Sequence, residues 1–233
     1  MGEKCIRGQT KMRGLYILGE GQTEEQFINE ILQPYFANNN LYDVRCILME
    51  TSSGHKGGDV SYQRYKSNAE KLLNHQKDII VTSLIDFFRL KTDFPKYQEA
   101  IKAHPNDKIQ RVTFLENAIA ENINHYRFIP YIQLHEFESL LFSSTDGFDF
   151  LPEIPDANRI ELEKAVEKYE NPELLNDGTE TAPSKRLKNL VPSYQKTFHG
   201  PLLAEAISLN TILSRCERFK TWLDKLIIEM KRE

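Results

Sequence analysis

Four acidic residues stand where an apolar run gives way to the next segment, and acids so placed can do metal chemistry. Glu20 follows the run 14–18 across Gly19, and Asp86 lies near the end of 78–88. Glu136 and Glu138 come just after 128–134. If these runs are parallel strands of one open sheet, their carboxyl ends share the edge where such sheets bind ligands. Carboxylates gathered there repel one another unless a cation sits between them. Hard oxygen donors without histidine or cysteine partners suit Mg2+ or Mn2+ rather than zinc. An ion held this way activates water and stabilises the charge that develops in phosphodiester cleavage. Taken singly, each acid reads better as a helix cap or a surface residue, because helix N-termini attract carboxylates anyway. Their joint placement is what points to chemistry.

Glu136 and Glu138 are two residues apart, so an extended segment would turn both to one side. The spacing of Phe137, Leu140 and Leu141 is helical instead, which sets the two about 200° apart and leaves one facing inward. Glu136, nearer the strand end, is the one expected there. Three further basic residues are candidates for phosphate contact. Lys56 lies in the loop-like stretch Ser53-Gly54-His55-Lys56-Gly57-Gly58, which lacks the order of a Walker A loop. Lys185 and Arg186 follow Ser184, and Arg89, Lys91 and Asp93 border the strand-end Asp86. His135 has neither the HExxH nor the triad spacing that would make it a ligand or a base. The three cysteines are widely spaced with no CxxC pair, which supports neither a zinc knuckle nor a disulfide framework.

The elements that must position these groups alternate. The run 14–18, bounded by glycines, reads as a buried strand and 44–49 as another. The run 78–88, rich in β-branched and aromatic residues, is the strongest strand signal, and 128–134 is a strand with Pro130 near its start. Between them, Thr23 begins a capping-box pattern with Gln26, and Phe27, Ile28, Ile31, Leu32 and Tyr35 follow at helical spacing until Pro34 kinks or ends the helix. Tyr62, Tyr65, Ala69, Leu72 and Leu73 mark a second helix. Val112, Leu115, Ile119 and Ile123 mark a third. The stretch 51–59 reads as a loop by composition. Alternating strands and helices predict a mainly parallel α/β sheet flanked by helices. Beyond 145 the strand signals stop. A helix starts near Asn158, 171–184 is an exposed loop, and Ile212, Cys216, Phe219, Leu223, Leu226 and Ile227 stripe one last helix. The expected organisation is a loose leader over 1–12, an α/β domain over 13–145 and a mainly helical extension packed on it over 146–233.

A net charge of −4 argues against a protein that coats nucleic acid indiscriminately. The balance is uneven, however: 134–183 carries 13 acidic and 3 basic side chains, whereas 184–233 carries 10 basic and 5 acidic. A phosphate-facing surface on an acidic protein is compatible with that asymmetry, and so are solvated helix faces. The apolar runs are too short to span a bilayer and 1–14 has no secretory h-region, so a cytoplasmic protein is expected. Oligomeric state is not legible.

The strand ending in Gly19-Glu20-Gly21-Gln22-Thr23-Glu24, together with Ile85-Asp86-Phe87-Phe88, resembles the TOPRIM (topoisomerase-primase) domain. Gly54-His55-Lys56-Gly57-Gly58, Leu134-His135-Glu136-Phe137-Glu138, Ala182-Pro183-Ser184-Lys185-Arg186-Leu187 and His199-Gly200-Pro201-Leu202 are similar to the remaining motifs of a stand-alone bacterial TOPRIM-like family of unknown function. The resemblance implies kinship with the nuclease half of the OLD (overcoming lysogenisation defect) proteins and with phage-defence systems that pair such a domain with an AAA or SMC-like ATPase. It implies a TOPRIM-like sheet, Glu20 as general acid/base or metal ligand and Asp86 as metal ligand. Phe88 stands where the second Asp of the Asp-x-Asp motif is usual, and Glu136 or Glu138 is expected to replace it. Two functions remain open: a Mg2+- or Mn2+-dependent endonuclease of DNA or RNA, and a non-catalytic subunit that senses nucleic acid and docks on an ATPase.

Overall fold

The structure, a computed structural model, describes residues 12–52, 55–56, 60–175, 178 and 181–232. Its sheet is built on two buried runs. β1 (Gly14–Gly19) and β5 (Ile79–Asp86) have no exposed residue, as expected for strands covered on both faces. β1 pairs in parallel with β5 on one side and with β2 (Val44–Leu48) on the other. β5 pairs in parallel with two short pieces, β6 (Phe128–Ile129) and β7 (Ile132–Gln133). The order is β2-β1-β5-β6, with β7 further along the same side of β5. The expected single strand over 128–134 is therefore split. Pro130 has no N–H for the ladder, and at the break Ser83 Oγ takes over. It accepts the Tyr131 N–H at 3.0 Å and donates to the Tyr131 carbonyl at 2.9 Å.

Side chains alternate across the sheet and feed two cores. Leu15, Ile17, Ile80 and Leu84 join one, and Tyr16, Leu18, Val81 and Ile85 the other. The second core is closed by α3 (Tyr62–His75), α4 (Tyr97–Ala103) and α5 (Lys108–Ile123), which bury Tyr65 and Ala69, Ala100, and Leu115 and Ile119. The first receives the helix after β1 and most of the chain beyond 145. These later elements are α6 (Asp156–Lys168), α7 (Pro183–Leu190), α8 (Lys196–Ile207), α9 (Leu209–Arg215) and α10 (Glu217–Lys231).

Several local expectations are corrected. The helix after β1 starts at Gln22 with Gly21 as its cap, so Thr23 lies inside it, buried. α1 (Gln22–Phe27) widens into a π turn over Ile28–Leu32 before α2 (Gln33–Asn38). Pro34 thus neither ends nor breaks the run; a wider turn just before it accommodates a residue that cannot donate. Part of the expected loop over 51–59 is a small antiparallel pair, β3 (Glu50–Ser52) with β4 (His55–Lys56). α6 starts at Asp156 rather than near Asn158. The terminal stripe belongs to two helices, α9 and α10, that meet at Cys216. The break is stabilised by the buried Glu173, whose carboxylate accepts the Arg218 N–H at 3.0 Å in the first turn of α10.

Candidate functional site

The carboxyl edge of β1 and β5 collects the acids. Gly19 is level with Leu84, so Glu20 emerges beside the last residues of β5. Asp86 ends β5 and is buried. Its Oδ1 accepts the Phe137 N–H at 3.0 Å, and the Phe88 N–H donates to the His135 carbonyl at 3.0 Å. These two bonds tie the end of β5 to the segment carrying Glu136 and Glu138. From Phe137 to Phe142 that segment is a buried 3-10 helix, and Glu138 is fully enclosed.

Two residues not expected from sequence complete the cluster. Glu24, in the first turn of α1, is buried, and its Oε2 would lie 3.4 Å from a Cβ on Gly21. It folds back over its own cap residue. Lys196, the first residue of α8, places Nζ 3.2 Å from Glu138 Oε2 and 3.8 Å from both Asp86 Oδ2 and Glu24 Oε1. The local sequence holds this lysine in place. His199 Nδ1 accepts the Gln195 N–H at 2.8 Å at the start of α8, and its ring stacks on Tyr194. Gly200 lets α8 approach closely: a Cβ there would meet the Phe137 ring at 3.3 Å and Thr23 at 3.5 Å.

The cluster is short of positive charge. Burial pushes the Asp86 carboxyl well above its ordinary value; Glu24, Glu20 and Glu138 push the same way, and Lys196 only partly offsets them. Glu138 is also raised, first by burial and then by Glu136, against Lys196. Lys196 behaves in the opposite sense. Burial disfavours its charge, but Asp86, Glu138 and Glu24 outweigh that and hold it protonated. One ammonium therefore serves three carboxylates that it touches and others that it does not.

The remaining candidates are dispersed around this centre. Both Glu136 oxygens are engaged by Ser184 at the start of α7, one by its N–H at 3.0 Å and one by its hydroxyl at 2.8 Å. Glu138, rather than the expected Glu136, is thus the one that faces Asp86 and Lys196. Lys185 and Arg186 follow on the first turn of α7, both half-buried. Lys56 belongs to β4 by its backbone pairing with Glu50; its side chain, and Ser53, Gly54, Gly57 and Gly58 of the same motif, lie outside the described residues. Asp93 accepts the Tyr62 N–H at 3.0 Å and caps α3. Phe88, two residues past Asp86, is 38% exposed and offers no ligand atom. A signal for Glu24 existed, four residues after Glu20, but it sits inside a pattern that reads as a cap. Lys196 had none, being a single basic residue ahead of an apolar helix.

The donor set fits a hard divalent cation. It consists of carboxylate oxygens alone, and of the two buried Glu138 oxygens Oε2 is paired with Lys196 while Oε1 has no hydrogen-bond partner among the described residues. No group of three or more His, Cys, Asp or Glu among those residues is already drawn together tightly enough to enclose a metal. The acids instead surround an ammonium.

No helix among the described residues is long and apolar enough to cross a membrane. The fold is similar to that of the C-terminal region of the Burkholderia pseudomallei OLD protein. The TM-score is 0.51 at 13% identity, covering 94% of this chain and 97% of that one. None of the curated proteins matches the chain significantly. A family model described as a domain of unknown function, DUF4276, matches residues 19–227 from the end of β1 into α10, and the chain belongs to that family.

Proposed function

We propose that the chain is a TOPRIM-type nuclease that hydrolyses phosphodiester bonds in DNA or RNA with Mg2+ or Mn2+. One observation carries this reading. Carboxylates from three separate segments, Glu24, Asp86 and Glu138, converge on one lysine at the carboxyl edge of a parallel sheet, and Glu138 keeps one buried oxygen, Oε1, without a hydrogen-bond partner among the described residues. Glu24, Asp86 and Glu138 would hold the ion, with Glu20 beside them as ligand or general acid/base. When bound, the ion supplies a nucleophilic hydroxide near neutral pH and offsets charge on the phosphoryl oxygens. Lys196 carries a permanent charge for the phosphate. Glu136 fixes the start of α7, so that Lys185 and Arg186 can meet neighbouring phosphates, with Lys56 a further contact. The likeness in fold to an OLD protein region extends the proposal to nucleic acid as the substrate and to work with an AAA or SMC-like ATPase in phage defence.

The test is nicking of plasmid or labelled RNA with Mg2+ or Mn2+, alone and with any ATPase encoded beside this chain. Asp86→Asn keeps shape and the bond to Phe137 but removes the charge, and activity should fall by about 100-fold or more. Glu138→Gln should cost more than Glu136→Gln. Full activity in the Asp86 variant would remove the proposed site. Phe88 at the second-Asp position favours a second reading, a subunit that senses nucleic acid without cleaving it. That reading takes over if the unaltered protein is inactive under every condition while still binding nucleic acid.

A further inference from the structure

We infer that Lys196 is a resident cation that occupies the divalent-ion position, and that metal loading requires its side chain to leave the carboxylates. The inference rests on the metal reading above and adds a mechanism of access to it. Its first support is geometric. The oxygens of Glu24, Asp86 and Glu138 lie 3.2–3.8 Å from Nζ. Mg2+ takes its oxygens at about 2.0–2.1 Å. A cage of the observed radius therefore suits an ammonium and is more than about 1 Å too wide for the metal, so loading must contract it. An ammonium left inside the contracted cage would overlap the ion and be repelled by it.

The second support is the means of leaving. Lys196 is the first residue of α8, on a flexible four-carbon stem, and its side chain is 32% exposed. Glu24, Asp86 and Glu138, by contrast, are buried on elements packed into the core. The lysine can swing outward and keep its charge in water, where a substrate phosphate would arrive. Glu138 Oε1, buried without a hydrogen-bond partner among the described residues, then gains a contact that the ammonium on Oε2 does not supply. The metal-free protein is thus held together by its own lysine, and metal affinity is lowered by the free energy of displacing it.

Two measurements on the full chain test this. Mn2+ binding by calorimetry should be tighter in Lys196→Met than in the unaltered protein by about 10-fold or more, since the competitor is gone. Lys196→Arg should bind no more tightly than the unaltered protein. His199→Ala, which loosens the start of α8 without touching the carboxylates, should fall between them and serves if the Met variant fails to fold. In the unaltered protein, acylation of Lys196 by an amine-reactive reagent, read by mass spectrometry, should rise several-fold when Mn2+ is added. Mn2+ binding with unchanged affinity in the variants and unchanged Lys196 labelling would overturn this inference alone. No Mn2+ binding in any of these proteins would overturn it together with the metal reading.

Discussion

Lys196 and Phe88 show how single positions decide what the edge of this sheet can do. Phe88 adds no charge two residues past Asp86, yet three carboxylates still crowd one lysine, and Glu24, Glu20 and Glu138 add to the burial that chiefly raises Asp86. Lys196 answers that excess. His135 illustrates the opposite situation nearby: burial first, then Lys108 and Arg111, lower its pKa from 6.5 to about 4. A base whose folded pKa is depressed stays neutral in the native state and takes up its proton on unfolding. Its contribution is constant above the unfolded value, and stability drains away as pH falls from 6.5 towards about 4. Over that window the loss attributable to His135 is on the order of 2–3 kcal/mol. Urea titrations at pH 7.5 and at pH 4.5 should therefore show a smaller acid loss in His135→Gln than in the unaltered protein. The buried acids with raised pKa, Asp86, Glu138, Glu116 and Glu173, act in the other direction and are common to both proteins. An equal acid loss in the two would show that His135 is not held neutral.

The elements follow from residue patterns to very different degrees. β1 and β5 are apolar on both faces, and that is why they stand out in sequence and why both lie in the middle of the sheet. Ile80 and Ile85 point into different cores, so Ile80→Ala and Ile85→Ala each remove a fully enclosed side chain, at about 2–5 kcal/mol in a denaturant titration. A negligible loss from either would mean that its face is not packed. The break at Pro130 and the widening before Pro34 were signalled by the prolines, but which repair the backbone would adopt was not, because it depends on distant partners such as Ser83. The site divides the same way. Asp86 and Glu20 are visible because strand ends locate them, whereas Lys196 is invisible because its role exists only once α8 crosses α1. Gly200 permits that crossing. Gly200→Val would push against Phe137 and Thr23 and should cost roughly 1–3 kcal/mol. It should also weaken the hold of Lys196 on the acids. Retained stability would show that the close approach is dispensable.

At the scale of the whole molecule, the acids and their counter-ion come from four segments spread along the chain and are brought together by a shared core. Leu15, Phe27 and Leu84 from the first half are packed in one cluster with Leu203, Phe219 and Leu223 from the second. The acidic stretch 134–183 supplies Glu136 and Glu138, and the basic stretch that follows supplies Lys196, so the charge asymmetry of the sequence is partly consumed inside the fold. A ligand bound at such a seam stabilises both sides at once, because neither half of the site survives the opening of the other. A cation that binds only the folded chain adds about 2.7 kcal/mol at a free concentration one hundred times its dissociation constant. For a chain of this size each kcal/mol raises Tm by about 2–4 °C, so saturating Mn2+ should lift the transition by roughly 5–10 °C relative to EDTA. In scanning calorimetry the endotherm should remain single and move as a whole. Asp86→Asn should lose most of the shift, although its own stability without metal should not fall, since it removes a carboxylate whose charge burial already opposes. Two endotherms, of which Mn2+ moves only one, would mean that the sheet and the helices beyond 145 unfold separately and that the cation is held by one of them alone.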